Sequence, residues 1–187
     1  MTDDAVYRAT ALGEAYARIE RLPVAVLLEN VRSLYNVGAF LRTADAVRAE
    51  AVVLAGITPT PEDPRIAKTA LGAERSVAWS ASADAQVALE DLRGRGFEIA
   101  AVETSLHAVD LFDWRPRFPV CVIFGHEVDG VTPGVLARCD IHVRIPTLGT
   151  KGSINVATAG GVVLYELLRK YRELAGDRRS AAPPGTR

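Results

Sequence analysis

Six short apolar runs separated by helix-like stretches constrain this chain more than any other feature. The runs are Val24–Leu28, Ala51–Leu54, Val77–Trp79, Phe97–Val102, Pro119–Phe124 and Ile141–Ile145. They are apolar nearly throughout rather than alternating, as strands buried on both faces must be. Helical spacing lies between several of them, from about Val37 to Val47 and over Ala83–Arg93, Pro133–Ala137 and Ser153–Glu173. Strands that alternate with helices predict an α/β fold: one domain with a mostly parallel sheet and helices on both faces. Ahead of the first run, Ala5, Ala9, Leu12, Ala15, Tyr16 and Ile19 recur at helical steps and Pro23 closes the segment. The expected organisation is an N-terminal helical extension over 1–22, the α/β domain over 23–174 and a disordered Arg-, Pro- and Ala-rich tail over 175–187. Ile57–Pro64 carries three prolines with Asp and Glu and reads as a loop.

Composition narrows the class. At 49% hydrophobic and 24% charged residues, the 187-residue chain can bury a large core and stay dissolved. It has no run of 18 uncharged apolar residues, and Asp3 and Asp4 stand where a secretory leader would be basic. Cys121 and Cys139 are far apart, so neither a zinc site nor a disulfide is expected, and a cytoplasmic setting follows. His107, His126 and His142 lack metal-ligand spacing. The net charge of -1 gives no global signature of a nucleic-acid binder, so any such contact must come from a local basic patch.

Three segments carry chemistry. Glu29–Ala46 spans a strand-to-helix junction, where ligands gather in open α/β sheets. Within it Asn36 is placed as a helix cap, and Arg32 and Arg42 can hold a phosphate. The second segment, Val122–Pro133, is an apolar strand running into a turn with Gly125, Glu127 and Gly130. Those glycines let the backbone approach a ligand closely, and Glu127 stands at the strand exit. The turn is neither GxGxxG nor a P-loop. In the third, Val143–Gly161, a strand ends at Pro146 and a Gly-flanked loop enters the last helix. Ser153 is positioned to cap that helix and Asn155 to lie in its first turn. Gly160 and Gly161 inside a helix cost about 1 kcal/mol each relative to alanine, so a geometric need is expected there.

Taken in order, N-x-x-x-x-x-R, F-G-x-E-x-x-G and I-P…S-x-N-V resemble the three motifs of the SpoU/TrmH-like RNA methyltransferases of the SPOUT superfamily, from about Val24 to Leu168. The resemblance implies a C-terminal trefoil knot, S-adenosylmethionine as cofactor, a homodimer with a composite active site, and methylation of a ribose 2'-hydroxyl in tRNA or rRNA. It implies that Asn36, Arg42, Glu127, Ser153 and Asn155 form the catalytic centre. It implies that Glu103, Thr104, Gly125, Gly130, Ile145, Leu148 and Ile154 surround the cofactor. Thr147 and Ile154 replace the Met and Leu common in the family. The short flanks look like those of the minimal or tRNA-acting members.

The family assigns Arg42 as general base. A guanidinium with a pKa above 12 rarely gives up its proton, so the alternative is that Arg42 holds the neighbouring phosphate. Arg32 and Lys151 are the leading RNA contacts, with Arg8, Arg18, Arg21, Arg65, Lys68, Arg178 and Arg179 as further candidates. Two rivals stand beside this reading: a SPOUT enzyme acting on a base nitrogen, and a non-catalytic RNA-binding protein with the same fold. Asn36 and Arg42 together with the S-x-N ending favour ribose chemistry, and the joint presence of Arg42, Glu127, Ser153 and Asn155 argues against loss of activity.

Overall fold

The computed structural model describes residues 20–180, the side chains of 175–180 apart. The helix expected over 3–21 lies almost wholly outside the described residues. Seven strands form the sheet: β1 (Leu22–Glu29), β2 (Ala49–Ala55), β3 (Trp79–Ser82), β4 (Glu98–Val102), β5 (Val109–Asp110), β6 (Val120–Phe124) and β7 (Ile141–Arg144). The helices are α1 (Leu34–Val47), α2 (Ala67–Ala70), α3 (Ala73–Ser76), α4 (Ala85–Gly94), α5 (Pro133–Leu136) and α6 (Val156–Ser180). Every strand pair is parallel, in the order β3-β2-β1-β6-β4-β7-β5.

The alternation of side chains along each strand builds two cores. Val24, Val26, Leu28, Val120, Val122 and Phe124 face α1, the short helices α2 and α3, and α6. Ala25, Leu27, Ile99, Cys121 and Ile123 face α4 and α5. Fully burying an aliphatic side chain stabilises by about 1.5–3 kcal/mol, which is why the central strands are apolar on both faces. Cys121 is such a strand residue, fully buried, and burial pushes its thiol far up.

Element boundaries differ from the sequence reading in instructive ways. α1 begins three residues earlier than expected because Ser33, not Asn36, is its N-cap. The Ser33 hydroxyl accepts from the Asn36 amide at 3.3 Å. α6 begins at Val156, not Ser153, because Asn155 caps it: its Oδ1 accepts from the amides of Ala157 and Thr158 at 3.0 and 3.1 Å. β5, α2 and α3 escape a periodicity search because two to four residues span about one period and repeat nothing. α6 continues past Gly176 to Ser180.

The two helical glycines separate in meaning. A Cβ on Gly160 would lie 2.1 Å from the ring of Phe40, which is buried and packs on Phe124 at 4.9 Å between centroids. A Cβ on Gly161 would meet nothing within 4 Å in this chain. Gly160→Ala should therefore lower stability in urea denaturation by about 1–3 kcal/mol through overpacking. Gly161→Ala should leave it unchanged or raise it by up to about 1 kcal/mol through helix propensity. Equal effects from the two substitutions would contradict this packing.

Candidate functional site

The carboxyl ends of β1, β6 and β4 lie side by side, and each is followed by a glutamate or ends in one. Glu29, the last residue of β1, is buried and accepts from the Thr132 amide at 2.9 Å and from its hydroxyl at 2.6 Å. Glu103, just after β4, accepts from the amide of Val131 at 2.7 Å and from that of Thr104 at 3.3 Å. Glu127, after β6, accepts from Asn36 Nδ2 at 2.9 Å and from the amides of Ser33 and Arg32 at 3.3 and 3.4 Å. These three carboxylates fix the 125–132 turn from below and tie it to the start of α1.

Asn36 is the hub. Its side chain is 5% exposed, donates to Glu127 and accepts from Asn155 Nδ2 at 3.2 Å. A hydrogen-bonded chain thus runs from Glu127 through Asn36 and Asn155 to the first amides of α6. Partial burial pushes the Glu127 carboxyl up. The hydrogen bond from Asn36 and those from the amides of Glu127, Ser33 and Arg32 outweigh burial and leave it below the ordinary glutamate range.

Beside this chain lies a cavity of about 280 Å³, lined by Glu103, Thr104, Gly125, Gly130, Ile145 and Ile154 together with Glu127, Ser153 and Asn155. Phe124 and Val156 add apolar wall. The turn closes so tightly that a Cβ on Gly125 would lie 2.1 Å from the Gly130 carbonyl carbon. Gly130 adopts φ 71°, with Glu103 Oε1 where its Cβ would point. Small, kinked backbone of this kind presents main-chain groups to a flat ligand.

Two expected residues stand elsewhere. Leu148 is fully exposed on the 147–155 loop and does not join the lining. Arg42 is exposed on α1. It sits seven residues from the exposed Tyr35 and so on the same helix face, turned away from the Asn36 side. Arg32 and Lys151 are exposed, whereas Arg65 is held by Asp63 in an ion pair of 2.6 Å. His126 Nδ1 accepts from the amides of Val128 and Asp129, and the residue also lines the cavity. Among the described residues no group of three or more His, Cys, Asp or Glu is placed to hold a metal ion. None of the described helices is long and apolar enough to cross a membrane.

Sequence reasoning assigned no role to Glu29, Thr132, Asn30 or Thr58. Asn30, at φ 58°, accepts from the Ile57 amide at 3.1 Å. The Thr58 hydroxyl accepts from Val31 and donates to Leu28. A carboxylate ending an apolar strand was the one visible signal; its partner 103 residues away was not.

The SpoU rRNA Methylase family matches residues 23–165, a span that holds the whole network and cavity. The chain belongs to this family. Among relatives it is 34% identical over 167 residues to the tRNA (guanosine(18)-2'-O)-methyltransferase of Escherichia coli, covering 86% of this chain and 72% of that one. It is 33% identical over 165 residues to the 23S rRNA (guanosine-2'-O-)-methyltransferase RlmB of Pseudomonas syringae, covering 88% and 66%. The chain spans only 61% of the TrmH family tRNA/rRNA methyltransferase of Staphylococcus epidermidis, at 29% identity. The fold is similar to the A. aeolicus TrmH/SpoU tRNA modifying enzyme, with TM-score 0.78 and 26% identity over 95% of this chain and 89% of that one. It is also similar to AviRb from Streptomyces viridochromogenes in complex with AdoMet, with TM-score 0.73 and 25% identity over 82% and 60%.

Two measurements test the network. The Glu127 carboxyl is depressed in the folded state, so its stabilisation is present above the unfolded value and lost as pH falls through the native one. Thermal midpoints followed from neutral pH into acid should therefore drop less steeply in Glu127→Gln than in wild type. Asn36→Asp puts a second carboxylate against Glu127 and should destabilise by about 1–3 kcal/mol at neutral pH. Part of that loss should return on acidification, and a pH-independent loss would show that the contact with Glu127 does not matter.

Proposed function

We propose that this protein is an S-adenosylmethionine-dependent methyltransferase acting on a ribose 2'-hydroxyl in tRNA or rRNA. The observation that carries the reading is the Glu127–Asn36–Asn155 chain standing at the rim of a cavity walled by a glycine turn. The cavity suits an adenosyl group: apolar walls for the ring, main-chain groups for its edge and carboxylates for hydroxyl or ammonium donors. Glu103, Thr104, Gly125, Gly130, Ile145 and Ile154 would hold the cofactor, which supplies a methyl group on a sulfonium.

The residues of the chain do the rest. Asn36 and Asn155 hold their amides in one orientation, so that a hydroxyl placed at the rim meets fixed dipoles rather than water. Ser153, at the cavity mouth, adds a second polar group. Arg42 acts on the substrate, anchoring the phosphate next to the reacting ribose or helping its proton leave. Because Arg42 faces away from its own cavity, it serves the site of a second copy. Tyr35 and Arg42 on α1, and Gly161 and Tyr165 on α6, form the open faces that a homodimer would cover. Arg32 and Lys151 extend the RNA surface. The β1-β6-β4-β7 strand order, with α6 returning to pack against α1, supports the C-terminal trefoil knot that the family resemblance implies. A cytoplasmic location fits RNA modification.

Methylation blocks alkaline cleavage at the modified linkage, so product RNA from a reaction with labelled cofactor should resist hydrolysis at one site. Labelled RNA that remained fully cleavable would favour a base nitrogen instead. Arg42→Ala should lower kcat by at least about 100-fold with cofactor and RNA saturating, while cofactor affinity stays unchanged. Near-normal turnover would remove Arg42 from the mechanism. RNA affinity should fall linearly in a log–log plot against salt, and a flat response would dismiss the electrostatic contribution of Arg32 and Lys151.

A further inference from the structure

The cavity wall is electrically unbalanced. Among the described residues its lining holds two carboxylates, Glu103 and Glu127, one imidazole, His126, and neither lysine nor arginine. Both carboxylates act only as acceptors, which is the habit of the ionised form. Glu127 takes the Asn36 amide at 2.9 Å, and Glu103 takes the Val131 amide at 2.7 Å. The walls beside them are the apolar Phe124, Ile145 and Val156, so a charge here is less well screened than in open water.

The proposed cofactor changes charge when it reacts. With a sulfonium, an ammonium and a carboxylate it is a monocation. Loss of the methyl group leaves the sulfur as a thioether, and the molecule becomes neutral overall. Building on the methyl-transfer reading above, we propose that Glu103 and Glu127 sort donor from spent product. The cationic donor is held more tightly than its neutral product, and Glu103 sets the ratio. Glu127 is committed to Asn36 and the start of α1. Among the described residues Glu103 bonds only to the Val131 and Thr104 amides, leaving its charge to act on what fills the cavity. Arg42 of a second copy, brought in by the proposed dimer, would offset one of the two negative charges and leave the other.

Calorimetry on the full chain tests this with three probes: S-adenosylmethionine, S-adenosylhomocysteine, and sinefungin, whose primary amine replaces the sulfonium methyl. Wild type should bind the two cations about tenfold more tightly than the neutral product, equivalent to about 1.4 kcal/mol. Glu103→Gln should bring the ratio close to one by weakening the cations alone, and added salt should narrow it in wild type. S-adenosylhomocysteine binding by the variant reports that the cavity has survived. If the variant binds none of the three, the wild-type affinity ratio and its salt series decide between the same two outcomes. Equal wild-type affinities for donor and product, or a Glu103→Gln loss shared by all three probes, would overturn the inference while leaving the cofactor site standing. Failure of wild type to bind any probe would instead overturn the cofactor reading itself.

Discussion

Three glutamates at neighbouring strand ends hold the rest of the site in place. Parallel strands finish on the same edge of the sheet, so β1, β6 and β4 deliver Glu29, Glu127 and Glu103 to one small region. Carboxylates crowded there would repel each other unless each found donors. Each does, and in every case at least one donor comes from another segment: Thr132 for Glu29, Val131 for Glu103, and Asn36 with the amides of Arg32 and Ser33 for Glu127. Charge-assisted bonds of this kind are roughly twice as strong as neutral ones, which suits them to fixing loops that carry no regular structure.

The glycines follow from that arrangement. With Val131 drawn down by Glu103, the backbone at Gly130 passes directly over the carboxylate and must take a left-handed conformation. Gly125 then faces the Gly130 carbonyl with no room for a side chain. The same logic reaches the helices. Gly160 gives Phe40 its place, Phe40 seats α1 on α6, and that contact sets Asn36 within reach of Asn155. Core packing and site geometry are one structure here, so a methyl group added at Gly160, which does not itself line the cavity, can disturb it.

The same arrangement ties the fold to chemistry. The Glu127–Asn36–Asn155 chain is polar and rigid, whereas the cavity beside it is apolar, acidic and open enough for a ligand. A transfer reaction needs this division, with one wall to hold the donor and another to orient the acceptor. The exposed faces of α1 and α6 keep Arg42 outside its own cavity, and this geometry makes a second copy part of the functional proposal.

The sequence by itself determined the class of fold and the three motifs. Apolar runs of strand length between helices admit little besides a parallel α/β sheet, and motif spacing picked out Asn36, Glu127, Asn155, Gly125 and Gly130, because each depends on local chain geometry. Ile145 and Ile154, which line the cavity, were named only through the family resemblance. Only the tertiary structure decided which cap serves which helix, since Ser33 and Asn36, or Ser153 and Asn155, are both capping residues within three positions of each other. Only it left Leu148 in solvent and Arg42 exposed and outside the cavity lining, because a loop's direction and a helix's rotation are set by what they pack against. The bonds from Glu29 to Thr132 and from Glu103 to Val131 join residues 103 and 28 positions apart. Hydrogen bonds over such separations have no local signature, and they exist only once the sheet has brought its strand ends together.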